Sequence, residues 1–230
     1  MKIDDILSNK VLDKLKWERP SNHSRIFETN IRFLDILISL ILIIFLSPII
    51  LSIACLIKAS DRGPVFFRQE RSGLLGEPFK IIKFRTMIEN AHQIGAKYKI
   101  EKNDPRITKI GILLRKYHLD ELPQLFNVLH GKMTLVGPRP TLVWQKDYYE
   151  EWEKQRLNVK PGMTGLSQVI GGNMLSWDNR IIIDVYYVQN RSLLLNMYII
   201  FKTIIVLIKK EGHEKEEGGV NGWTRSIPPV

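Results

Sequence analysis

Cysteine is almost missing from this chain. One residue, Cys55, stands in 230, so no internal disulfide can form and a disulfide-stapled secreted domain is excluded. The five histidines, at 23, 92, 118, 130 and 213, show no zinc-type spacing with one another or with Cys55. There is no Gly-rich phosphate loop, since Gly-Leu-Leu-Gly at 73–76 is too weak a pattern to count. No nucleophilic Ser or Cys triad can be argued, and Cys55 lies inside an apolar run. Internal repeats and low-complexity tracts are absent too. A formal net charge of +10 would suit nucleic acid. Without helix-turn-helix spacing, a zinc-finger pattern or an aromatic RNP-like stretch, however, no nucleic-acid partner is expected. With 44% apolar residues the chain is globular in composition rather than disordered.

What is present begins with a long greasy run. Ile36 to Ile57 is 22 residues without a charge, long enough for a bilayer core and longer than most soluble core helices. It begins 35 residues in and ends without a small-x-small cleavage site, which argues against a signal peptide. Ser47-Pro48 sits in its middle. Proline removes one backbone donor, so a kink is expected there, with the Ser47 hydroxyl available to a freed carbonyl. Each flanking half reaches only about half of a ~30 Å core. A kinked span and a helix-break-helix that enters and leaves by one face both satisfy this pattern. Charge is unevenly spread: residues 58–118 hold 14 basic and 6 acidic side chains, against 7 and 6 in residues 1–35 and 13 and 12 in residues 119–230. The excess follows the apolar run, where cytoplasm and anionic lipid are expected.

Along the chain, residues 1–30 read as a polar, amphipathic arm with a break near Pro20. Val65–Gln69 and Phe79–Phe84 read as a β-hairpin with a long loop, and 86–100 as a helix. Asn103-Asp104-Pro105 reads as the start of another helix, and Leu122-Pro123 as a break after which Pro123–His130 restarts. Trp144–Asn158 reads as a polar helix, followed by a helix at Ser176–Asn190. Leu193–Ile208 is apolar but interrupted by Asn196 and Lys202, which suits a membrane surface better than a span.

Three constellations could carry chemistry. Asp120-Glu121 lies just before a proline-started helix, with Arg115 and Lys116 a turn upstream. Such a setting keeps carboxylates ionised and able to hold a hard cation, and an Asp carboxylate can attack phosphorus. A solvated pair at a helix end is the bland alternative. Gly137-Pro138-Arg139-Pro140 presents Arg139 from a rigid backbone, which suits bidentate phosphate binding as well as an ordinary surface turn. Lys83 and Arg85, at the end of the hairpin, are expected to point the same way.

At these residues the sequence closely resembles the monotopic phosphoglycosyl transferases, the bacterial sugar transferase family. The resemblance rests on GPVFFRQERSGLLGEPFKIIKFRTM at 63–87, DPRITKIGILLRKYHLDELPQLFNVLHGKMTLVGPRP at 104–140, KPGMTGLSQV at 160–169 and DVYYVQNRSLLLN at 184–196, and runs from about Ile31 to Ile208. It implies a membrane segment that re-enters at Ser47-Pro48, an active site on the cytosolic face built on Asp120 and Glu121, and Mg²⁺. It also implies transfer of a sugar-1-phosphate from a UDP-sugar to polyprenyl (undecaprenyl) phosphate with release of UMP, the step that initiates lipid-linked glycans such as exopolysaccharide, capsule or O-antigen. Asp120 would be the nucleophile of a covalent aspartyl-phosphosugar intermediate and Glu121 the metal ligand. Thr134, Met163 and Ser167 depart from the family's usual residues, which bears on local packing or on acceptor contacts near Ser167.

The expected fold is α+β and mostly helical. It comprises a polar arm (1–30), a re-entrant membrane helix (31–58), a catalytic domain with interfacial helices and a small β-hairpin (59–210), and a flexible tail (211–230). The expected partners are the UDP-sugar, polyprenyl phosphate and the bilayer, with Arg139, Arg115, Lys83 and Arg85 as phosphate-binding residues; homo-oligomerisation is left open. Direct attack by the acceptor in a ternary complex, and a non-catalytic basic adaptor on the membrane surface, are the rival readings.

Overall fold

The computed structural model describes residues 3–17, 24–93 and 104–209. The expected tail over 211–230 and the second half of the expected 86–100 helix lie outside the described residues. The architecture is mostly helical, with one very long apolar helix near the N-terminus and two small sheets. Two short helices, α1 (Ile3–Ile6) and α2 (Asn9–Trp17), come first, and Ile6 and Leu15 are buried in the body of the protein.

Helix α3 (Arg25–Asp61) starts where Ser24 caps it, accepting the Phe27 N–H at 3.2 Å. It ends where Arg62 turns left-handed, with φ 59°. Its 37 residues rise ~55 Å at 1.5 Å each. The sequence suggests two half-helices around Ser47-Pro48, whereas the structure carries one helix through the proline. The reason is local. Pro48 cannot donate to the Ile44 carbonyl one turn back, and the Ser47 hydroxyl donates to it instead at 2.8 Å. Apolar side chains such as Phe33, Ile44, Phe45 and Leu51 face outward from this helix, while Ile50, Ile53 and Ile57 pack with Phe84 and Leu114.

Polar groups near its start tie α3 to the rest of the molecule. Arg32 donates to the carbonyls of Val128 and Leu129 at 2.6 and 2.7 Å, and Asp35 accepts the Leu135 N–H at 2.9 Å. These carbonyls close helix α5 (Gln124–Leu129), whose negative end suits a guanidinium.

Strands β1 (Phe66–Ser72) and β2 (Pro78–Phe84) form the expected hairpin, antiparallel in a register that sets Phe66 opposite Phe84 and Ser72 opposite Pro78. Phe79 and Ile81 point inward to Val128 and Met133. Asn127 of α5 seals the exposed edge of β2, accepting from Ile82 N–H at 2.9 Å and donating to Lys80 carbonyl at 2.8 Å. Two short strands, β3 (Thr134–Val136) and β4 (Gly162–Thr164), pair in parallel. They approach so closely that a Cβ on Gly162 would fall 2.1 Å from the Gly137 nitrogen.

Several local expectations give way to competing hydrogen bonds. The described part of 86–100 holds a single 3-10 turn at Ala91–Gln93, because Ile88 N–H and Thr86 carbonyl bond across to Arg106 and Thr108. Asp104 does not cap a helix, since Arg106 occupies its carboxylate at 2.6 and 2.9 Å; helix α4 (Lys109–Lys116) starts instead from the Thr108 cap. Residues 144–158 form two 3-10 turns, Val143–Tyr148 and Glu153–Leu157, separated by extended Tyr149. The break lets Tyr149 and Arg156 turn inward. Helices α6 (Leu166–Ile170), α7 (Trp177–Gln189) and α8 (Leu193–Lys209) complete the chain. On α8, Leu194, Met197, Phe201, Ile204 and Ile208 make an outward apolar stripe at helical spacing, while Asn196 and Ile199 face the core.

Candidate active site

Three segments converge on one carboxylate. Helix α4 ends in Tyr117, and His118 follows with φ 53°, a left-handed conformation uncommon for a side-chain-bearing residue. This reversal drops the chain into a 3-10 turn, Leu119–Glu121, which runs straight into α5. The expected break at Leu122-Pro123 amounts to a two-residue turn before α5, but Leu122 does not leave the right-handed helical region, and its N–H reaches the Leu119 carbonyl at 3.3 Å. The turn therefore holds Asp120 and Glu121 on a short rigid segment between two helices.

Glu121 is the hub. Its Oε1 accepts from Lys83 Nζ at 2.6 Å and from Arg139 Nη2 at 2.8 Å. Lys83 comes from β2 and is placed by the Asn127 clasp between strand and helix. Arg139 comes from the loop after β3, which is fastened by Gly137 N–H to Thr164 carbonyl and by Gly162 N–H to Pro138 carbonyl, both 2.9 Å. The Glu121 side chain is only 15% exposed, while that of Arg139 is 44% exposed and open to an incoming group. Among the described residues, the other oxygen of Glu121 has no hydrogen bond and the Asp120 carboxylate has none.

The two carboxylates are pushed apart electrostatically. Burial raises Asp120 above its ordinary 3.8, and attraction to Lys83 does not cancel this while Glu121 adds to it. Burial acts on Glu121 too, but Arg139 and Lys83 outweigh it and hold its carboxyl well below the ordinary 4.5. Glu121 in turn raises Arg139, and burial lowers Lys83 against the pull of the same carboxylate. Neighbouring acids driven in opposite directions are suited to different tasks.

Of the cations singled out from sequence, Lys83 and Arg139 touch the dyad. Arg115 acts on Asp120 through space while its Nε donates to the Thr86 hydroxyl at 2.9 Å. Arg85 goes elsewhere. The strand ends at Phe84, alternation stops there, and Arg85 is buried so tightly against Gly63 that a Cβ on that glycine would lie 2.5 Å from its Nη1. Ser47 and Pro48 lie midway along α3.

Sequence reasoning missed the layer behind Arg139. Arg156, 3% exposed, donates to Arg139 carbonyl at 3.1 Å, to Tyr149 hydroxyl at 2.6 Å and to Asp184 Oδ2 at 2.5 Å. Asp184 Oδ1 accepts from Ser167 at 2.8 Å. Ser167 is buried in this network. Arg156 and Asp184 are 28 residues apart, and no local spacing signals such a pair.

Among the described residues no three His, Cys, Asp or Glu side chains gather as a metal cage. A pair of carboxylates with unengaged oxygens could still contribute one or two ligands to a hard cation that keeps water or phosphate oxygens.

Residues 27–210 match the family model for bacterial sugar transferases. The exopolysaccharide production protein ExoY of Sinorhizobium fredii is 39% identical, aligning 79% of this chain with 86% of its own. UDP-glucose:undecaprenyl-phosphate glucose-1-phosphate transferase of Klebsiella pneumoniae is 42% identical over 75% of this chain. UDP-N-acetylgalactosamine-undecaprenyl-phosphate N-acetylgalactosaminephosphotransferase of Aeromonas hydrophila is 43% identical over 77%. The matches span 39% and 43% of the length of these two longer transferases.

Proposed function

This chain belongs to the bacterial sugar transferase family, and from that membership we propose that it moves a sugar-1-phosphate from a UDP-sugar to polyprenyl phosphate. UMP is the other product, and the polyprenyl diphospho-sugar begins a lipid-linked glycan. The observation that carries this reading is the asymmetric dyad. Asp120 is unbonded and raised, whereas Glu121 is locked in its charged form by Lys83 and Arg139.

In this reading Arg139, Lys83 and Arg115 draw in the diphosphate and offset the repulsion between two anionic substrates. A carboxylate oxygen of Asp120 attacks the phosphorus that bears the sugar. The bond from that phosphorus to the bridging oxygen breaks, and UMP leaves with the electron pair. A phosphate oxygen of the polyprenyl acceptor then attacks the same phosphorus, the acyl-phosphate bond breaks, and the Asp120 carboxylate is restored. Glu121, through its unengaged oxygen, would hold Mg²⁺, which when bound supplies charge neutralisation to the diphosphate.

The setting proposed for this chemistry is the cytoplasmic membrane face, with α3 re-entering rather than crossing. Both ends of α3 are held by the same body, Arg32 and Asp35 by α5 and β3 and Ile53 and Ile57 by Phe84 and Leu114, which supports a helix that stays on one face, and the outward stripe of α8 supports contact with the bilayer. With Cys55 replaced by Ser, a cysteine introduced at residue 10 should stay unlabelled by an impermeant reagent in intact cells. Periplasmic labelling there would establish a span.

The decisive experiment on the chemistry offers purified protein a panel of UDP-sugars with Mg²⁺ and no acceptor. UMP should appear up to about one equivalent, with a labelled phosphosugar recovered on the Asp120 peptide. UMP release that always requires acceptor, with no label on Asp120, would favour direct attack in a ternary complex. No UMP release from any sugar in either format would favour a non-catalytic adaptor.

A further inference from the structure

Residues 3–17 fall before the family match, which begins at residue 27. Composition suggests a polar arm, yet both of its helices pack on α7. Ile6, 2% exposed, joins a core cluster with Val136, Ile183, Tyr187 and Ile199. Leu15, 1% exposed, joins a second cluster with Leu142, Tyr149, Trp177 and Val185. The Leu15 carbonyl accepts from Gln189 Nε2 at 3.2 Å and from Gln155 Nε2 at 3.4 Å, and Gln189 also donates to Gln155 at 2.9 Å. The arm thereby joins the end of α7 to the 3-10 turn that carries Arg156.

The placement relative to Asp184 matters most. Its neighbours Ile183 and Val185 enter the two clusters, one completed by Ile6 and the other by Leu15. Asp184 itself faces Arg156, which reaches the Arg139 carbonyl. We propose that residues 3–17 are a positioning element for the transfer site: by filling both apolar clusters that flank Asp184, they fix the chain of contacts from Asp184 through Arg156 to Arg139. The consequence for transfer rests on the phosphate-binding role given to Arg139 above, while the mechanical coupling does not.

The test uses full-length protein in lipid vesicles. Leu15→Asp places a carboxylate in a sealed apolar site and should undock the arm, whereas Leu15→Met should behave as wild type. With donor varied, Leu15→Asp should raise KM about 10-fold, because a small displacement of a phosphate-binding arginine weakens every productive complex. Gln189→Ala, which removes the bridging amide without burying charge, should raise KM about 2-fold. Loss of folded protein alone would lower Vmax and leave KM unchanged, and that result in both variants would overturn the proposal.

Hydrogen exchange supplies a readout independent of activity. In Leu15→Asp, the amides of Gly137 and Ser72, which bond to the Thr164 and Thr141 carbonyls at 2.9 Å, should exchange faster together with those of α7. Fast exchange confined to residues 3–17, with Gly137 and Ser72 unchanged, would overturn the coupling even in a protein that released no UMP.

Discussion

Two acid–guanidinium clusters stand on either side of the Arg139 loop, built from the same chemistry and finished differently. In the sealed one, both oxygens of Asp184 are engaged, Oδ2 by Arg156 and Oδ1 by Ser167, and the ion-paired side chains are 2% and 3% exposed. In the open one, Glu121 engages one oxygen and Asp120 neither among the described residues. A buried carboxylate with both oxygens engaged holds a geometry, here even though Arg156 Nε finds no partner among the described residues, whereas carboxylate oxygens left unengaged can receive a ligand. The comparison thus separates a closed support from the open cluster proposed as the reaction centre.

The largest way to break this comparison is to neutralise the acid on each side. Asp120→Asn should lower turnover by ~10³-fold or more, since an amide oxygen is a poor nucleophile, while the fold survives. Asp184→Asn should do the reverse. It leaves Arg156 buried without a counter-charge, a loss of about 3–5 kcal/mol, and lowers Tm by roughly 10 °C, with residual activity at raised donor KM. Circular dichroism melts beside UMP-release assays would distinguish the two. Equal losses of stability in both variants would erase the distinction between support and site.

Arg139 is the residue the two clusters share: its side chain faces the open one and its carbonyl rests on the sealed one. Arg139→Lys keeps the charge and the backbone contact but loses the planar fork. A fall in kcat/KM of about 10–100-fold, close to that of Arg139→Ala, is expected if phosphate is gripped by two parallel N–H groups. A lysine variant near wild type would reduce Arg139 to a point charge.

Within the open cluster the two carboxylates should part company with pH. Glu121, depressed in the fold, contributes stability that is complete above its ordinary 4.5 and is lost as pH falls through its folded value. Asp120, raised in the fold, has the opposite sign. Ionising it in the folded state is harder than in the unfolded chain, so its contribution declines as pH rises from below 3.8 through its folded value, and the penalty persists at neutral pH. In EDTA at pH 7, Glu121→Gln should lower Tm and Asp120→Asn should raise it. Below the ordinary value of each acid both differences should shrink. Melts across pH 3 to 7 check this, and shifts of the same sign would contradict the opposed environments.

Much of the open cluster was legible in the sequence and almost none of the sealed one. Asp120-Glu121 before a proline, and Arg139 between two prolines, are local signals that restrict backbone and gather charge within a few residues. The 22-residue apolar run and the hairpin were legible for the same reason, periodicity and turn chemistry being local. Arg156 meets Asp184 across 28 residues, and Lys83 meets Glu121 across 38, distances over which only the tertiary fold decides. The segment 144–158 looks like a solvated helix because it is polar, yet Glu153 and Arg156 are buried by being hydrogen-bonded. The arm misleads in the same way: its apolar residues are interspersed with charged ones, and burial of Ile6 and Leu15 decides its position.

The smallest perturbation sharpens the contrast most finely. Ser167→Ala deletes one hydroxyl and leaves Asp184 Oδ1 without its donor at 2.8 Å, while the contact from Oδ2 to Arg156 is untouched. An unsatisfied buried acceptor costs about 1 kcal/mol or somewhat more, which corresponds to a Tm fall of about 2–4 °C for a chain of this size. If the sealed cluster acts on transfer only through Arg156 and the Arg139 carbonyl, donor KM should stay within about 2-fold of wild type, as one neutral hydrogen bond is worth little once its removal leaves the geometry standing. A rise in KM as large as that of Leu15→Asp would mean that Asp184 shifts when Ser167 lets go. The serine would then belong with the arm among the groups that aim Arg139, and the line between support and reaction centre would run inside the sealed cluster rather than around it.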